Sequence, residues 1–217
     1  MPRHFKPSEP AKPKAVKGSN RIRIIGGAWR SRVIEFAEAD GLRPTANRVR
    51  ETLFNWLGQS LHGKRCLDLF SGSGALGFEA ASRGASESVM LEVSAAAIAA
   101  LKTNRQKLAA TSCRVLAMDA LKFIDSSREK FDIVFVDPPY SSGLMATALG
   151  KLPPNLLDGA LVYAEWGAPI AEVLENMPGH PWEIAKQGKA GAVHFALLRL
   201  VAPYYAIVLS PSRQKDD

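Results

Sequence analysis

Asp137, Pro138, Pro139 and Tyr140 stand in a row after Phe131-Asp132-Ile133-Val134-Phe135-Val136, a run that reads as a buried strand. An acid, two prolines and an aromatic in that place suit a planar, nitrogen-bearing reactant. An exocyclic aromatic amine is a poor nucleophile because its lone pair is delocalised into the ring. The Asp137 carboxylate can accept one of its N–H groups and the Pro138 carbonyl the other. Such a pair draws the nitrogen toward tetrahedral geometry as a new N–C bond forms. Proline has a fixed φ, and the residue before a proline is restricted in turn, so the Pro138 carbonyl is stiffly aimed. Tyr140 offers a flat face for a base turned out of its stack. The chemistry expected is methyl transfer to such an amine. Asp137 need not be a strong base, because the amine becomes acidic as it gains the methyl group. The competing reading, a strand-ending turn with a surface acid, loses weight beside the motifs upstream. No cysteine stands at this site, which disfavours a covalent cytosine-C5 route.

Upstream, Leu67-Asp68-Leu69-Phe70-Ser71-Gly72-Ser73-Gly74 has the form of a strand running into a loop. With Gly77, the glycines satisfy G-x-G-x-x-G, a pattern that normally marks a dinucleotide site and is weak taken alone. Asp68, four residues before Gly72, changes the reading. A carboxylate there suits the ammonium of a methionine moiety better than a pyrophosphate. Glu92 ends the next strand, where a ribose-binding acid belongs. Asp119, with Ala120 after it, follows Cys113–Met118 and can accept from an adenine amine or cap a helix. Phe70 and Ser71 complete the cofactor loop. Ligands of open α/β sheets bind at the carboxyl ends of the strands. Asp68, Glu92, Asp119 and Asp137 all fall there, on successive strands, and S-adenosylmethionine is the expected cofactor.

The elements that must position these residues follow from periodicity. Strands are expected at 65–70, 87–92, 113–118, 131–136, 159–165, 182–187 and 192–200, and helices at 75–83, 94–109, 120–126, 142–150 and 169–177. That alternation predicts an α/β fold, a mostly parallel seven-stranded sheet covered on both faces. The last two strands leave no room for a crossover helix and should form an antiparallel pair at the sheet edge. Ahead of this domain (61–200), residues 21–60 should form a small β extension and a helix. The extension, RIRIIGGAWRSRVIEF, reads as two short strands around Gly26-Gly27, or as a hairpin whose exact turn stays open. The helix, capped by Thr45 or Asn47, carries Val49, Leu53, Trp56 and Leu57 on one stripe, with Arg48 and Arg50 off it, facing solvent or a ligand. Residues 1–20, rich in Pro and Lys, are expected to be a disordered basic tail. Residues 201–217 form a second tail, with Tyr204–Leu209 a candidate short strand.

The chain has 217 residues and a net charge of +7. Residues 1–50 hold 12 Lys and Arg against 4 Asp and Glu, while 51–217 hold 16 against 17. The basic excess therefore lies in the first quarter, where it would attract phosphates with a salt-sensitive affinity, or simply solubilise the chain. Arg30 and Arg32 alternate with Ser31 and Val33 and so share a face fit for RNA. No apolar run is long enough to span a membrane, and the basic N-terminus lacks the apolar segment of a secretory signal. Cys66 and Cys113 read as buried thiols, and no Cys/His spacing suggests zinc or another metal. A reducing cytoplasm and a monomer are the simplest expectations.

Taken together, RIIGGAWRSR, GLRPT (41–45), RVRETLFNWL (48–57), CLDLFSGSGALGFEA (66–80) and IVFVDPPY (133–140) make the sequence resemble the bacterial small-subunit ribosomal RNA guanine-N2 methyltransferases of the RsmD type, over about residues 21–200. The glycine loop and Asp-Pro-Pro-Tyr are shared by many amino-methyltransferases; their combination with GLRPT and RVRETLFNWL is more specific. The resemblance implies a Rossmann-like class I methyltransferase with a small N-terminal β extension, and S-adenosylmethionine as donor. It implies one guanine of 16S ribosomal RNA as acceptor, within an assembled or assembling small subunit. It places Asp68, Gly72 and Gly74 in the cofactor loop, Glu92 and Asp119 on ribose and adenine, and Asp137 to Tyr140 in the catalytic motif. Arg43, Arg48 and Arg50 fall in its N-terminal stretch, to contact RNA or shape the base pocket, and Arg23 is a further candidate RNA contact. Gly188-Lys189-Ala190-Gly191 fits the family's C-terminal turn, while His194 stands where a less polar residue is expected, packing in or beside the sheet.

Other readings stay open at this level. The tetrapeptide does not separate guanine from adenine, so an adenine-N6 methyltransferase on DNA or RNA is the strongest alternative. Glutamine methylation favours Asn over Asp at its first position. A nonenzymatic RNA-binding module explains the basic first quarter but not the acids on successive strand ends. A nicotinamide dehydrogenase leaves Asp137–Tyr140 without a task.

Overall fold

A computed structural model of the chain describes residues 19–37 and 47–201. The expected basic tail, the GLRPT segment with Arg43 and Thr45, and the Tyr204–Leu209 strand lie outside the described residues.

Seven strands form one sheet: β3 (Arg65–Asp68), β4 (Glu87–Glu92), β5 (Cys113–Ala117), β6 (Phe131–Val136), β7 (Leu156–Trp166), β8 (Trp182–Ala190) and β9 (Val193–Leu200). Their order is β5-β4-β3-β6-β7-β9-β8. The first five run parallel, and β9 pairs antiparallel with both β7 and β8. This is the Rossmann-like class I methyltransferase fold with its antiparallel edge pair, β9 inside and β8 outermost. The chain crosses from one half of the sheet to the other between β3 and β6, which opens a crevice at their carboxyl ends.

Helices cover both faces because the central strands are apolar on both. Leu67, Leu69, Val134, Val136 and Val162 meet α4 (Ala120–Ser126), α5 (Leu144–Lys151) and α6 (Ile170–Glu175) on one side. Cys66, Ile133, Phe135 and Tyr163 meet α1 (Asn47–Leu57) and α2 (Ala75–Ser82) on the other, and α3 (Ala95–Leu108) extends that layer over β4 and β5. Ser94 caps α3, its hydroxyl accepting from the amide of Ala97.

The N-terminal extension is a two-stranded ribbon, β1 (Ser19–Arg23) with β2 (Val33–Ala37), in antiparallel register with Ile22 opposite Ile34. Its apolar face, Ile22, Ile24, Ile34 and Phe36, packs on Phe78, Leu101 and Leu108 of α2 and α3. Gly26-Gly27 does not make the reversing turn, which falls at 28–31. The glycines let the backbone meet the end of α2: a Cβ on Gly27 would lie 1.8 Å from the Ser82 carbonyl oxygen. Ala28 donates to that oxygen at 2.7 Å, and Ser82 Oγ donates to the Gly26 carbonyl at 2.6 Å. Glu79, fully buried in α2, accepts from the amides of Ile25 and Gly26, each at 2.8 Å. Asn104 of α3 serves as a short strand partner for β2, accepting from Glu35 N at 3.1 Å and donating to Glu35 O at 2.7 Å.

Arg50 corrects one expectation. It does not face solvent or RNA but is fully buried beneath the ribbon. Its guanidinium lies 3.6 Å from Glu79 and donates to the Arg23 carbonyl at 3.1 Å and to Asn47 Oδ1 at 2.6 Å. A buried charge needs such partners. Arg83 completes the cluster, 2.9 Å from Glu79 and over the ring of Phe54.

Candidate active site

The site grows from the β3–α2 connection. Asp68 ends β3 with 3% of its surface exposed, and its Oδ2 accepts from Gly77 N at 3.2 Å. Gly77 lies in the first turn of α2, where amides lack helical partners and the helix dipole favours an anion. Burial nevertheless pushes the Asp68 carboxyl up to about 7, against the pull of that amide, and the nearby Glu92 charge adds to the rise. A carboxylate so placed is suited to receive a cation. Gly74 has φ +79, and a Cβ there would meet Leu101 at 2.5 Å. A Cβ on Gly77 would meet Met90 at 2.5 Å, so this glycine lets α2 lie directly on β4.

The loop is fastened by its own residues. Ser71 donates its amide to Leu91 O and its hydroxyl to Asp68 O, both at 3.0 Å. Gly72 donates to Glu92 Oε2 at 2.9 Å, while Glu92 Oε1 accepts from Val93 and Ser94, each at 2.8 Å. Glu92 thus shapes the loop mouth as well as standing at it. Next to it, Val93 is 70% exposed and offers an apolar surface for a flat ring. Asp119 caps α4, one oxygen accepting from Lys122 N at 3.0 Å, with Ala120 buried behind it and Phe70 half-buried in the loop. Asp68, Glu92, Asp119 and Asp137 therefore line the carboxyl ends of β3, β4, β5 and β6, around the crevice. An acid for an ammonium, an acid for a ribose diol, an acceptor for an adenine amine and two loop glycines fit S-adenosylmethionine.

Asp137 is half-buried and Pro138 buried. Tyr140 opens a short 3-10 turn in which Ser142 donates its hydroxyl to Pro139 O at 2.6 Å. The Tyr140 ring is 44% exposed and sits edge-on to Trp166, centroids 5.3 Å apart and planes at 65°. Gly167 leaves room beneath that ring, where a Cβ would come within 3.2 Å.

The sequence reading does not single out the residues on the adjoining strand. Phe135 pairs with Tyr163 and Val136 with Ala164, so Asp137 and Glu165 occupy neighbouring places on one face. Glu165 is 4% exposed, and Tyr163 donates its hydroxyl to Glu165 Oε2 at 2.6 Å. Burial, together with the charges of Glu165 and Asp137, lifts Tyr163 well above its ordinary value and keeps it a donor.

The candidate RNA-binding arginines separate. Arg23, Arg30, Arg32 and Arg48 are all exposed, Arg23 donating to Ser31 O at 3.0 Å and Arg32 to Lys107 O at 2.5 Å. Arg48 borders a groove of about 270 Å³ between α1 and the β8–β9 hairpin, shared with Trp56, Lys189 and Phe195. His194 is half-buried in the sheet, opposite Trp166 and Lys189. Among the described residues, no group of three or more His, Cys, Asp or Glu could hold a metal ion, and no helix is long and apolar enough to cross a membrane.

A family model described as "Conserved hypothetical protein 95" matches residues 22–199. The ribosomal RNA small subunit methyltransferase D of Escherichia coli K12 is 42% identical over 184 residues, covering 83% of this chain and 90% of its own. That of Haemophilus influenzae is 39% identical, covering 81% and 92%. Among solved structures, the yhhF protein of Escherichia coli superposes with a TM-score of 0.74 at 40% identity, over 84% of this chain and 99% of its own. A protein crystallised with S-adenosylhomocysteine shares the fold at 14% identity and a TM-score of 0.67, over 88% of this chain and 58% of its own.

Proposed function

This chain belongs to the ribosomal RNA small subunit methyltransferase D family, and from that premise we propose how its residues share the task. The protein transfers a methyl group from S-adenosylmethionine to the exocyclic N2 amine of a guanine in 16S ribosomal RNA. The donor supplies an electrophilic methyl on a sulfonium. Asp68 holds the ammonium of the methionine moiety, Glu92 the ribose hydroxyls and Asp119 the adenine amine. Asp137 and the Pro138 carbonyl accept the two hydrogens of the target amine and draw its lone pair out of the ring. Tyr140, steadied by Trp166, supports the base by stacking. The amine proton leaves late, to Asp137 or to water.

The observation that carries this reading is the placement of four acids on the consecutive carboxyl ends of β3 to β6, with Asp-Pro-Pro-Tyr at the last of them. The finer substrate is an assembled or assembling small subunit in the cytoplasm, approached through the basic N-terminal quarter. Arg30 and Arg48 are the proposed phosphate contacts.

The test is methyl transfer from labelled donor to small subunits lacking their native guanine-N2 methylation, followed by nucleoside analysis. Labelled N2-methylguanosine at one site is expected; label on adenine would overturn the base assignment. Asp137→Ala should cut kcat by about 100-fold or more, the scale of losing one oriented transition-state contact, with cofactor affinity unchanged by calorimetry. A matching loss of cofactor affinity would move Asp137 out of the amine site.

A further inference from the structure

The Asp-Pro-Pro-Tyr tetrapeptide holds an amine but does not say which purine bears it. The strand beside it does. Carried one residue past its last pair, Val136 with Ala164, the β6–β7 register sets Glu165 beside Asp137 on the same face, where neighbouring strands run about 4.8 Å apart. Resting on the reading of the site given above, we propose that Glu165 reads the Watson–Crick edge of the target guanine, accepting N1–H while Asp137 and the Pro138 carbonyl hold the N2 amine.

The chemistry of that edge demands such a group. In guanine the N1–H and the N2 amine are adjacent donors on one edge, so two acceptors side by side match them. In adenine the atom beside the amine, N1, is an acceptor and would face a carboxylate lone pair against lone pair. A carboxylate at this place therefore both selects guanine and rejects adenine.

Two features of the fold equip Glu165 for this. Tyr163, fully buried, donates to Oε2 at 2.6 Å and fixes the carboxylate's orientation, acting as a positioning residue. The next positions along the same row are Phe195, opposite Glu165, and Gly188, opposite Phe195. A residue needed only to fill space between Tyr163 and Phe195 would be apolar, since burying a carboxylate carries a desolvation cost. Those same low-dielectric surroundings strengthen a hydrogen bond once a donor arrives.

The experiment compares small subunits carrying either guanine or 2-aminopurine at the methylated position. 2-Aminopurine keeps the amine on C2, but its N1 is an acceptor. The unmodified enzyme should methylate 2-aminopurine with kcat/KM lower by roughly 100-fold or more, as a site built around a substrate N–H rejects an analogue without it. Glu165→Gln, whose amide can donate to N1, should lower kcat/KM on guanine by roughly 10- to 100-fold and bring the two substrates within about tenfold of each other. Equal losses on both would overturn the proposal, leaving Glu165 a structural partner of Tyr163. So would an unmodified enzyme that treats the two bases alike, a result that needs no variant to fold. Failure of that enzyme on native guanine would instead sink the functional reading, and the proposal with it.

Discussion

Asp68 is a carboxylate placed where it takes a proton far more readily than it would in water, until a cation arrives. Its pKa is raised to about 7 by burial, far above the ordinary 3.8. The raised value fixes the sign of the linkage. Its contribution to the stability of the cofactor-free protein is full below pH 4 or so and is lost as pH rises through about 7. Cofactor binding requires the ionised form, so affinity should weaken by about tenfold per pH unit below 7. Asp68→Asn should flatten that dependence, stabilise the cofactor-free protein at pH 8, and loosen cofactor binding by roughly 10- to 100-fold, the scale of one charged hydrogen bond. Calorimetric titrations from pH 6 to 8, with thermal melts alongside, read all three. The acids at the strand ends were legible because each closes an apolar run. The same rule applied to the 159–165 strand points to Glu165, its last residue. What hid it was the lack of any flanking motif, since its partner Tyr163 acts across one pleat and its neighbour Asp137 from another strand. Arg50 misled because its place off the α1 stripe says nothing of a ribbon that covers it from 27 residues away.

At the scale of elements, periodicity located the seven sheet strands and the helices, and the missing crossover before the last strand marked the antiparallel pair. The docking of the ribbon was not legible. It rests on contacts such as Ile25 to Glu79, which lie 54 residues apart, and on glycines whose purpose appears only against the end of α2. Glu79 is the keystone of that junction, since it faces Arg50, Arg83 and two ribbon amides. Glu79→Ala would strand a buried guanidinium and should cost about 3–5 kcal/mol. In a chain of this size that lowers the melting temperature by roughly 10 °C. Glu79→Gln should be milder. Differential scanning calorimetry compares them, and a melt within a degree of the unmodified protein would show the cluster to be dispensable.

For the whole molecule, charge is arranged by edge. At the amino ends of the strands, Arg65 and Arg114 bracket Glu87 and Glu129 at 2.7–2.9 Å, tying β3, β4 and β5 together away from the catalytic crevice. Glu87 is held below the usual carboxylate range despite the opposing effect of its burial, by Arg114 and Arg65. Basic surplus is left to the first quarter of the chain. Replacing Arg30 and Arg48 together by Ala should reduce the slope of log affinity against log salt by about 2. Filter binding to small subunits across a salt series checks this, and an unchanged slope would remove both from the interface.

The single helix α2 touches both ends of this enterprise: Gly77 grips Asp68, and two residues later Glu79 grips the ribbon. A swinging arm could follow a soft or half-folded target and bring any accessible guanine to the methyl group. A ribbon bolted to the helix beneath the donor cannot. With the RNA contact proposed at Arg30, it would behave as a fixed gauge, and an RNA surface already folded to its span would be the one to seat a base at Asp137. The state of the particle's assembly would then be measured by fit, before any chemistry begins.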